Sequence, residues 1–134
     1  MKRLIVFIAL LCAATLSSTA TPPTTNAAEG AKKQQAVVKF DEPVMLMGVT
    51  LKGTYLFVHD DEAMARGEAC TYVYQGTASV RDKLVVSFHC TPKERSKATR
   101  FTVRSIQTSP GLNELTEFQF IGSTEGHLVP VMVK

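Results

Sequence analysis

The chain has 134 residues, with 15 Lys or Arg, 12 Asp or Glu, three histidines, three cysteines and no tryptophan. This length accommodates one domain and excludes a multidomain enzyme. The net charge of +3 is too small for bulk basicity to indicate nucleic-acid binding, and we expect no specific nucleic-acid partner.

The first twenty residues have the pattern of a secretory signal peptide. Lys2 and Arg3 form a basic start, residues 4–16 are largely apolar, and small side chains precede Ala20. The apolar stretch is shorter than the roughly 20 residues that span a bilayer. We therefore predict cleavage after Ala20, a periplasmic or secreted product and no transmembrane span. Cleavage would also remove Cys12 and leave a nearly neutral chain with two cysteines.

A polar segment follows the predicted cleavage site. Residues 21–35 include two prolines and contain no large apolar side chain. Because such a segment buries too little surface to offset its ordering entropy, we predict a flexible tether rich in Thr and Pro. A single folded domain is predicted to begin at Ala36 and to continue to Lys134.

From Ala36 onward the hydrophobic pattern has a period of two, which is typical of β-strands. In the longest run, Leu51, Tyr55 and His59 share one strand face, which we predict to face the core. Short runs separated by turn residues predict a mainly β fold, namely a small antiparallel β-sandwich or barrel. The predicted strands lie at residues 37–40, 44–47, 49–59, 69–75, 84–90, 100–107, 115–121 and 128–133.

One short helical turn is predicted directly after the longest strand, at residues 61–66. Asp60 precedes it with a carboxylate that favours the N-cap position, and Asp61 suits the positive end of the helix dipole. Gly67 follows it and can adopt the left-handed conformation that commonly ends helices. These signals predict a helix of one or two turns.

Cys70 and Cys90 remain after the predicted cleavage, and an oxidising compartment favours their pairing. An antiparallel hairpin in which Cys70 lies opposite Cys90 would place Tyr72 opposite Phe88 and put all four side chains on one face. The spacing is unlike the close Cys-x-x-Cys motif of redox-active pairs. We therefore predict a structural disulfide between Cys70 and Cys90.

Imidazole, thiol and thioether groups suggest a copper or zinc site as an alternative. Its predicted ligands are His59 and His89, with Met45 and Met47 as thioether donors and Met64 as a further one. A site that joins His59, Cys70, His89 and Cys90 would also have suitable donors. Because adjacent residues of a strand point to opposite faces, His89 and Cys90 could bind one ion only if the strand bulges or ends there.

A second copper pattern fails in the sequence. His127 and Met132 have the His-x4-Met spacing of blue-copper proteins, but Thr124 stands where that family has its cysteine. Our main prediction therefore includes no cofactor.

Acidic residues follow His59, which suggests a small hydrolase-type enzyme with His59 and Asp60 or Asp61 as an acid/base pair. The alternative is that Asp60 caps the short helix and the other acids are solvated. The sequence contains no Gly-x-Ser-x-Gly, phosphate-binding loop or His-Glu-x-x-His motif. We therefore predict that the protein is not an enzyme.

A basic stretch follows Cys90 and suggests binding to an anionic surface. No aromatic residue alternates with its charges in the manner of a platform for single-stranded nucleic acid. The predicted anion-binding residues are Lys93, Arg95, Lys97, Arg100 and Arg104.

Two segments resemble a group of small predicted secreted bacterial proteins of unassigned function. They are LKGTYLFVHDDEAMARGEAC at residues 51–70 and LVVSFHC at residues 84–90, and the likeness extends over residues 40–130. The resemblance implies an exported bacterial β protein, and it transfers no catalytic residue or ligand to this chain.

The sequence as a whole predicts an exported, non-enzymatic binding or structural module of unknown ligand. Its partner is expected to be an anionic surface or another exported protein. A periplasmic copper- or zinc-binding protein and a small hydrolase are the alternatives.

Overall fold

A computed structural model describes residues 32–132. The predicted signal peptide, most of the predicted tether and the last two residues lie outside the described residues. No helix within residues 32–132 is long and apolar enough to cross a membrane. The elements of this range are β1 (Lys33–Leu46), β2 (Val49–Asp60), α1 (Asp61–Ala65), β3 (Thr71–Gln75), a 3-10 turn (Arg81–Lys83), β4 (Leu84–Phe88), β5 (Thr91–Glu94), β6 (Thr102–Ser109), β7 (Leu112–Gln119) and β8 (Glu125–Leu128).

The eight strands of the described range form one curled sheet that makes a half-barrel. Their order is β4-β3-β2-β1-β7-β8-β5, and β6 pairs with β7 outside this order. The pairings are antiparallel except for a short parallel contact between β1 and β7 at Val44 and Met45. The predicted fold class, mainly β with one short helical turn, is confirmed.

The first strand is longer than its hydrophobic pattern indicates. β1 begins at Lys33, which pairs with Asp60 at the end of β2, so three residues of the predicted tether belong to the sheet. Their polar side chains give no period-two signal, although their backbone groups continue the ladder with β2. A register shift between Phe40 and Val44 stands where the sequence predicts a break between two strands.

Aromatic side chains fill the inner face of the curled sheet. Phe57 on β2 and Phe118 on β7 are fully buried, with ring centroids 5.6 Å apart. Phe101 lies 5.5 Å from Phe57, and Phe120 lies 5.3 Å from Phe101. Such pairs add about 0.5–1.5 kcal/mol each beyond the burial of apolar area. This aromatic layer borders the end of β2, where His59 lies 6.4 Å from the Phe120 ring.

The paired strands β5 and β8 differ most from the sequence prediction. The side chains of β5 are all exposed, so this strand has no period-two signal. It pairs with β8, which occupies Glu125–Leu128 instead of the predicted residues 128–133. Within β8, the buried positions are Gly126 and His127, which hydrophobic periodicity does not detect.

The predicted helical turn is confirmed as α1. The Asp60 carboxylate accepts hydrogen bonds from the backbone N–H groups of Glu62 (3.0 Å) and Ala63 (3.2 Å). Gly67 has a φ of 73°, as the predicted helix end requires. The helix holds Met64 half-buried against the core.

Candidate metal centre

The inner face of the sheet carries a buried cluster of metal-ligating side chains. His59 is near the end of β2, His127 is on β8, and Cys90 is in the connection between β4 and β5; all three are fully buried. β1 and β7 lie between β2 and β8 in the sheet, but its curl brings the two imidazole rings to a centroid distance of 4.0 Å. One donor atom from each of the three residues lies within 4.8 Å of the others.

Strand alternation and strand ends explain the inward orientation of these side chains. His59 shares its strand face with Phe57, as the sequence pattern predicts. His127 lies opposite Phe118 in the β7–β8 register and stacks on its ring, with centroids 5.1 Å apart. Cys90 follows the end of β4, where strand alternation no longer fixes its direction.

Two separations between donor atoms are close to those of ligands that share a tetrahedral ion. Cys90 Sγ lies 3.6 Å from His127 Nδ1 and 3.9 Å from Met64 Sδ. Bond lengths of about 2.3 Å to sulfur and 2.0–2.1 Å to nitrogen place tetrahedral ligands about 3.6 Å (S to N) or about 3.8 Å (S to S) apart. Met64 Sδ therefore lies at a distance from Cys90 Sγ that a shared ion would allow.

Three ring nitrogens of the cluster have no hydrogen-bond partner among residues 32–132. They are Nδ1 and Nε2 of His59 and Nε2 of His127. Asp61 Oδ1 comes within 3.1 Å of His59 Nδ1, but this contact does not have the geometry of a hydrogen bond. An unsatisfied buried polar group costs roughly 1–3 kcal/mol, and a coordinated metal ion would take one nitrogen of each ring.

Burial keeps the cluster uncharged near neutral pH. It lowers the pKa of His127 to about 3, with a further contribution from neighbouring His59. It also lowers the pKa of His59, although two nearby carboxylates oppose this shift. Burial and the adjacent Cys70 thiol raise the pKa of Cys90 to about 12. The neutral imidazoles can bind a metal ion directly, whereas Cys90 must release its proton on binding.

Two carboxylates lie on the solvent side of the cluster. Asp61 approaches the His59 ring, and Glu125 Oε1 lies 3.7 Å from His127 Nδ1. Both acids line a surface depression of about 440 Å³. Burial and the proximity of Asp61 raise the pKa of Glu125. These groups give the buried donors an acidic side from which a cation can approach.

The two cysteines lie side by side, but not in the predicted register. Their Sγ atoms are 3.0 Å apart, longer than the about 2.05 Å of a disulfide bond, and both are thiols. The disulfide therefore stays a prediction. The predicted pairing of Tyr72 with Phe88 is wrong, because Phe88 pairs with Thr71. Cys70 and Cys90 lie just outside β3 and β4, so alternation within the strands does not extend to them.

Three of the metal ligands predicted from the sequence lie away from the cluster. His89 is exposed, and its Nδ1 is 2.8 Å from the backbone oxygen of Glu68. Met45 and Met47 are at the turn between β1 and β2, roughly 30 Å from His59 along the strand. The structure does not bring His59, His89, Met45 and Met47 together. Of the predicted ligands of this alternative, His59 and Met64 lie at the cluster.

The sequence does not predict that His127 lies beside His59 in one site. The His-x4-Met comparison involves Met132, which is largely exposed, and requires a cysteine at Thr124. In the fold, Cys90 and Met64 supply these two donor types from other elements. Because the curl of the sheet brings these donors together from distant parts of the chain, no short spacing motif in the sequence predicts the cluster.

The acid/base alternative receives little support from the geometry. Asp60 caps α1, and Asp61 is the carboxylate that approaches His59. The His59 side chain is fully buried, so a substrate cannot reach its ring in this conformation.

The basic stretch does not form one free anion-binding surface. Glu117 is buried and accepts hydrogen bonds from Arg95 at 2.7 and 2.6 Å and from Arg104 at 3.1 Å. Two of the five predicted charges are therefore paired within the fold, and anion binding by the stretch stays a prediction. The other members are exposed: Lys93, Lys97 and Arg100.

No protein-family model, curated protein or solved structure matches the chain. None of these comparisons indicates an enzymatic activity. The resemblance to secreted bacterial proteins stays a prediction, and functional inference rests on the chain's own residues.

Proposed function

We propose that this protein is an exported, non-enzymatic metal-binding protein whose buried centre takes one copper ion. The observation that carries the proposal is the convergence of His59, Cys90 and His127, with three ring nitrogens that lack a partner among the described residues. Buried histidines in stable proteins normally have hydrogen-bond partners. A buried site in which both imidazoles have an unpartnered nitrogen is better explained by a bound metal ion.

The donor types favour copper over other ions. Two imidazoles and one thiolate suit both zinc and copper, but the thioether of Met64 suits copper better because sulfur ligands select soft ions. Two histidines, one cysteine and a more distant methionine are also the donor types of blue-copper electron-transfer sites. Met64, with Sδ 3.9 Å from Cys90 Sγ, supplies the thioether of this donor set.

The completeness of the donor set supports a carrier or electron-transfer role over catalysis at the ion. Catalytic metal sites usually keep one position open for water or substrate. Here His59, Cys90, His127 and Met64 supply four donors, and the first three are fully buried. An ion held by these groups has little room for a substrate.

Anaerobic titration of the reduced chain with Cu(I), against a chromophoric Cu(I) chelator, tests the proposal. We expect one tightly bound Cu(I) per chain. Cys90→Ser and His127→Ala should weaken binding by more than the roughly 10–100-fold that accompanies loss of an outer-shell partner. Absence of stoichiometric uptake by the unmodified protein would contradict the proposal.

A matched control separates loss of a ligand from loss of the fold. His89→Ala removes an exposed imidazole outside the cluster and should leave Cu(I) affinity unchanged. Circular dichroism should show that each variant keeps its β structure. Parallel titration with Zn(II) tests the choice of ion, and preferential uptake of Zn(II) over Cu(I) would contradict it.

A further inference from the structure

Cys90 has two competing partners. Its Sγ is 3.0 Å from the thiol of Cys70 and 3.6 Å from His127 Nδ1 in the metal cluster. One sulfur atom cannot keep its normal metal bond when it is bonded to another sulfur, because the thiolate is the metal ligand.

The backbone holds Cys70 in position for such competition. The Cys70 N–H donates a hydrogen bond to the Phe88 carbonyl (3.0 Å), and the Cys90 N–H donates to Cys70 Sγ (3.2 Å). Disulfide formation requires the sulfurs to approach by only about 1 Å. The two residues are therefore held at the point where small side-chain rotations can join them.

Cys70 is poorly placed to be a ligand itself. Two sulfurs on one tetrahedral ion lie about 3.8 Å apart, which Met64 Sδ and Cys90 Sγ satisfy and the 3.0 Å thiol pair does not. The group of mutually close donors consists of His59, Cys90 and His127. The position of Cys70 is explained by its contact with Cys90.

We propose that a Cys70–Cys90 disulfide switches the copper site off. This inference rests on the proposed copper-binding function. In the dithiol form, Cys90 is available to the ion; in the disulfide form, His59, His127 and Met64 remain without a thiolate, and affinity falls sharply. The switch therefore couples metal binding to the thiol–disulfide balance around the protein.

The chemistry balances with a disulfide as oxidant. The two cysteine thiols lose two protons and two electrons and form one S–S bond, while the oxidant's S–S bond breaks and takes them up as two thiols. Because both cysteines are fully buried, the oxidant acts before folding is complete or through local opening. A copper ion already bound to Cys90 withholds that sulfur from the exchange.

Three preparations test the switch under anaerobic conditions: reduced protein, protein oxidised with glutathione disulfide, and reduced Cys70→Ser. Intact mass identifies the disulfide form and shows that no glutathione adduct remains. We expect the reduced protein and Cys70→Ser to bind one Cu(I) with affinities within about threefold of each other. The disulfide form should bind at least 100-fold more weakly and should recover after reduction.

The outcomes separate the two proposals. If the reduced protein does not bind Cu(I), the proposed function fails. If the reduced protein binds and the disulfide form binds equally well, or the pair never forms a disulfide, the switch is overturned. A loss of Cu(I) binding in correctly folded Cys70→Ser also overturns it, because Cys70 would then be a ligand.

A second measurement examines the reverse direction. Copper-loaded and copper-free reduced protein are treated with glutathione disulfide, and free thiols are counted over time. The copper-loaded form should keep its thiols at least ten times longer. Equal rates of thiol loss would overturn the competition between copper and Cys70.

Discussion

Gly126 provides a test of how closely β8, the strand that carries His127, packs on its neighbour. A Cβ atom at this position would overlap Oε1 of Glu117 and press on the Arg95 side chain. Gly126 is not among the glycines with positive φ, so its backbone conformation suits alanine. The cost of Gly126→Ala should therefore be steric and arise at the Glu117 carboxylate.

The structure sets the size of this cost. Glu117 is 3% exposed, and its carboxylate accepts hydrogen bonds from both Arg95 and Arg104. Breaking a buried ion pair costs about 3–5 kcal/mol. The two arginine side chains are 35% and 39% exposed, which reduces the expected loss to about 2–3 kcal/mol.

Urea unfolding of a double-mutant cycle measures this loss. Gly126→Ala alone should lower the free energy of unfolding by about 2–3 kcal/mol. In the Glu117→Ala background the same substitution should cost less than about 0.5 kcal/mol, because the overlapping carboxylate is gone. Gly67→Ala is the control for backbone strain, since its φ is 73° and no atom lies within 4 Å of the added Cβ. Full additivity of Gly126→Ala and Glu117→Ala would refute the steric reasoning.

Three further predictions concern the cluster. Metal-free, reduced protein should be most stable between about pH 6.5 and 9. Below this window His127 binds a proton in the unfolded chain, whereas the buried ring of the folded protein, with a pKa of about 3, does not. Above it Cys90 ionises in the unfolded chain, whereas the buried thiol of the folded protein, with a pKa of about 12, does not. Each effect lowers stability by up to about 1.4 kcal/mol per pH unit, and equal urea midpoints at about pH 5, 7.5 and 10 would contradict it. Met64→Leu should weaken Cu(I) binding about tenfold and Zn(II) binding by less than about threefold. Met45→Leu is the control and should leave both affinities unchanged. An equal loss of affinity for both ions would show that Met64 is not a copper-selective ligand. Free Cu(I) at about 100 times its Kd should raise the free energy of unfolding by about 2.7 kcal/mol in calorimetry, and the same gain in Cys90→Ser would show that copper binds elsewhere.

Features determined by neighbouring residues were predictable from the sequence. Alternation along β2 places His59 on the inner face with Phe57, and Asp60 caps α1 through its own carboxylate. These properties depend on strand pleating and on hydrogen bonds within three residues.

Features determined by the curl of the sheet were not predictable in the same way. The approach of His127 to His59 depends on how β7 and β8 fold back, and β8 has only four residues with no apolar alternation. The predicted register of β3 and β4 is wrong by one residue, because the sequence does not reveal that β3 begins after Cys70 and β4 ends before Cys90. Met64 reaches Cys90 only because α1 packs against the core.

The short β8 strand gives metal binding a consequence for folding cooperativity. β8 is held by three residue pairs to β7 and four to β5, whereas β1 and β2 form a long hairpin. Without an ion, β5 and β8 can detach as a local unit of low stability while the hairpin persists. An ion bound as proposed would join His127 on β8 to His59 on β2, so detachment would also have to break the coordination bonds. Strands β5 and β8 would then open together with the β1–β2 hairpin, and amide hydrogen exchange of β8 would slow toward the rate of global unfolding.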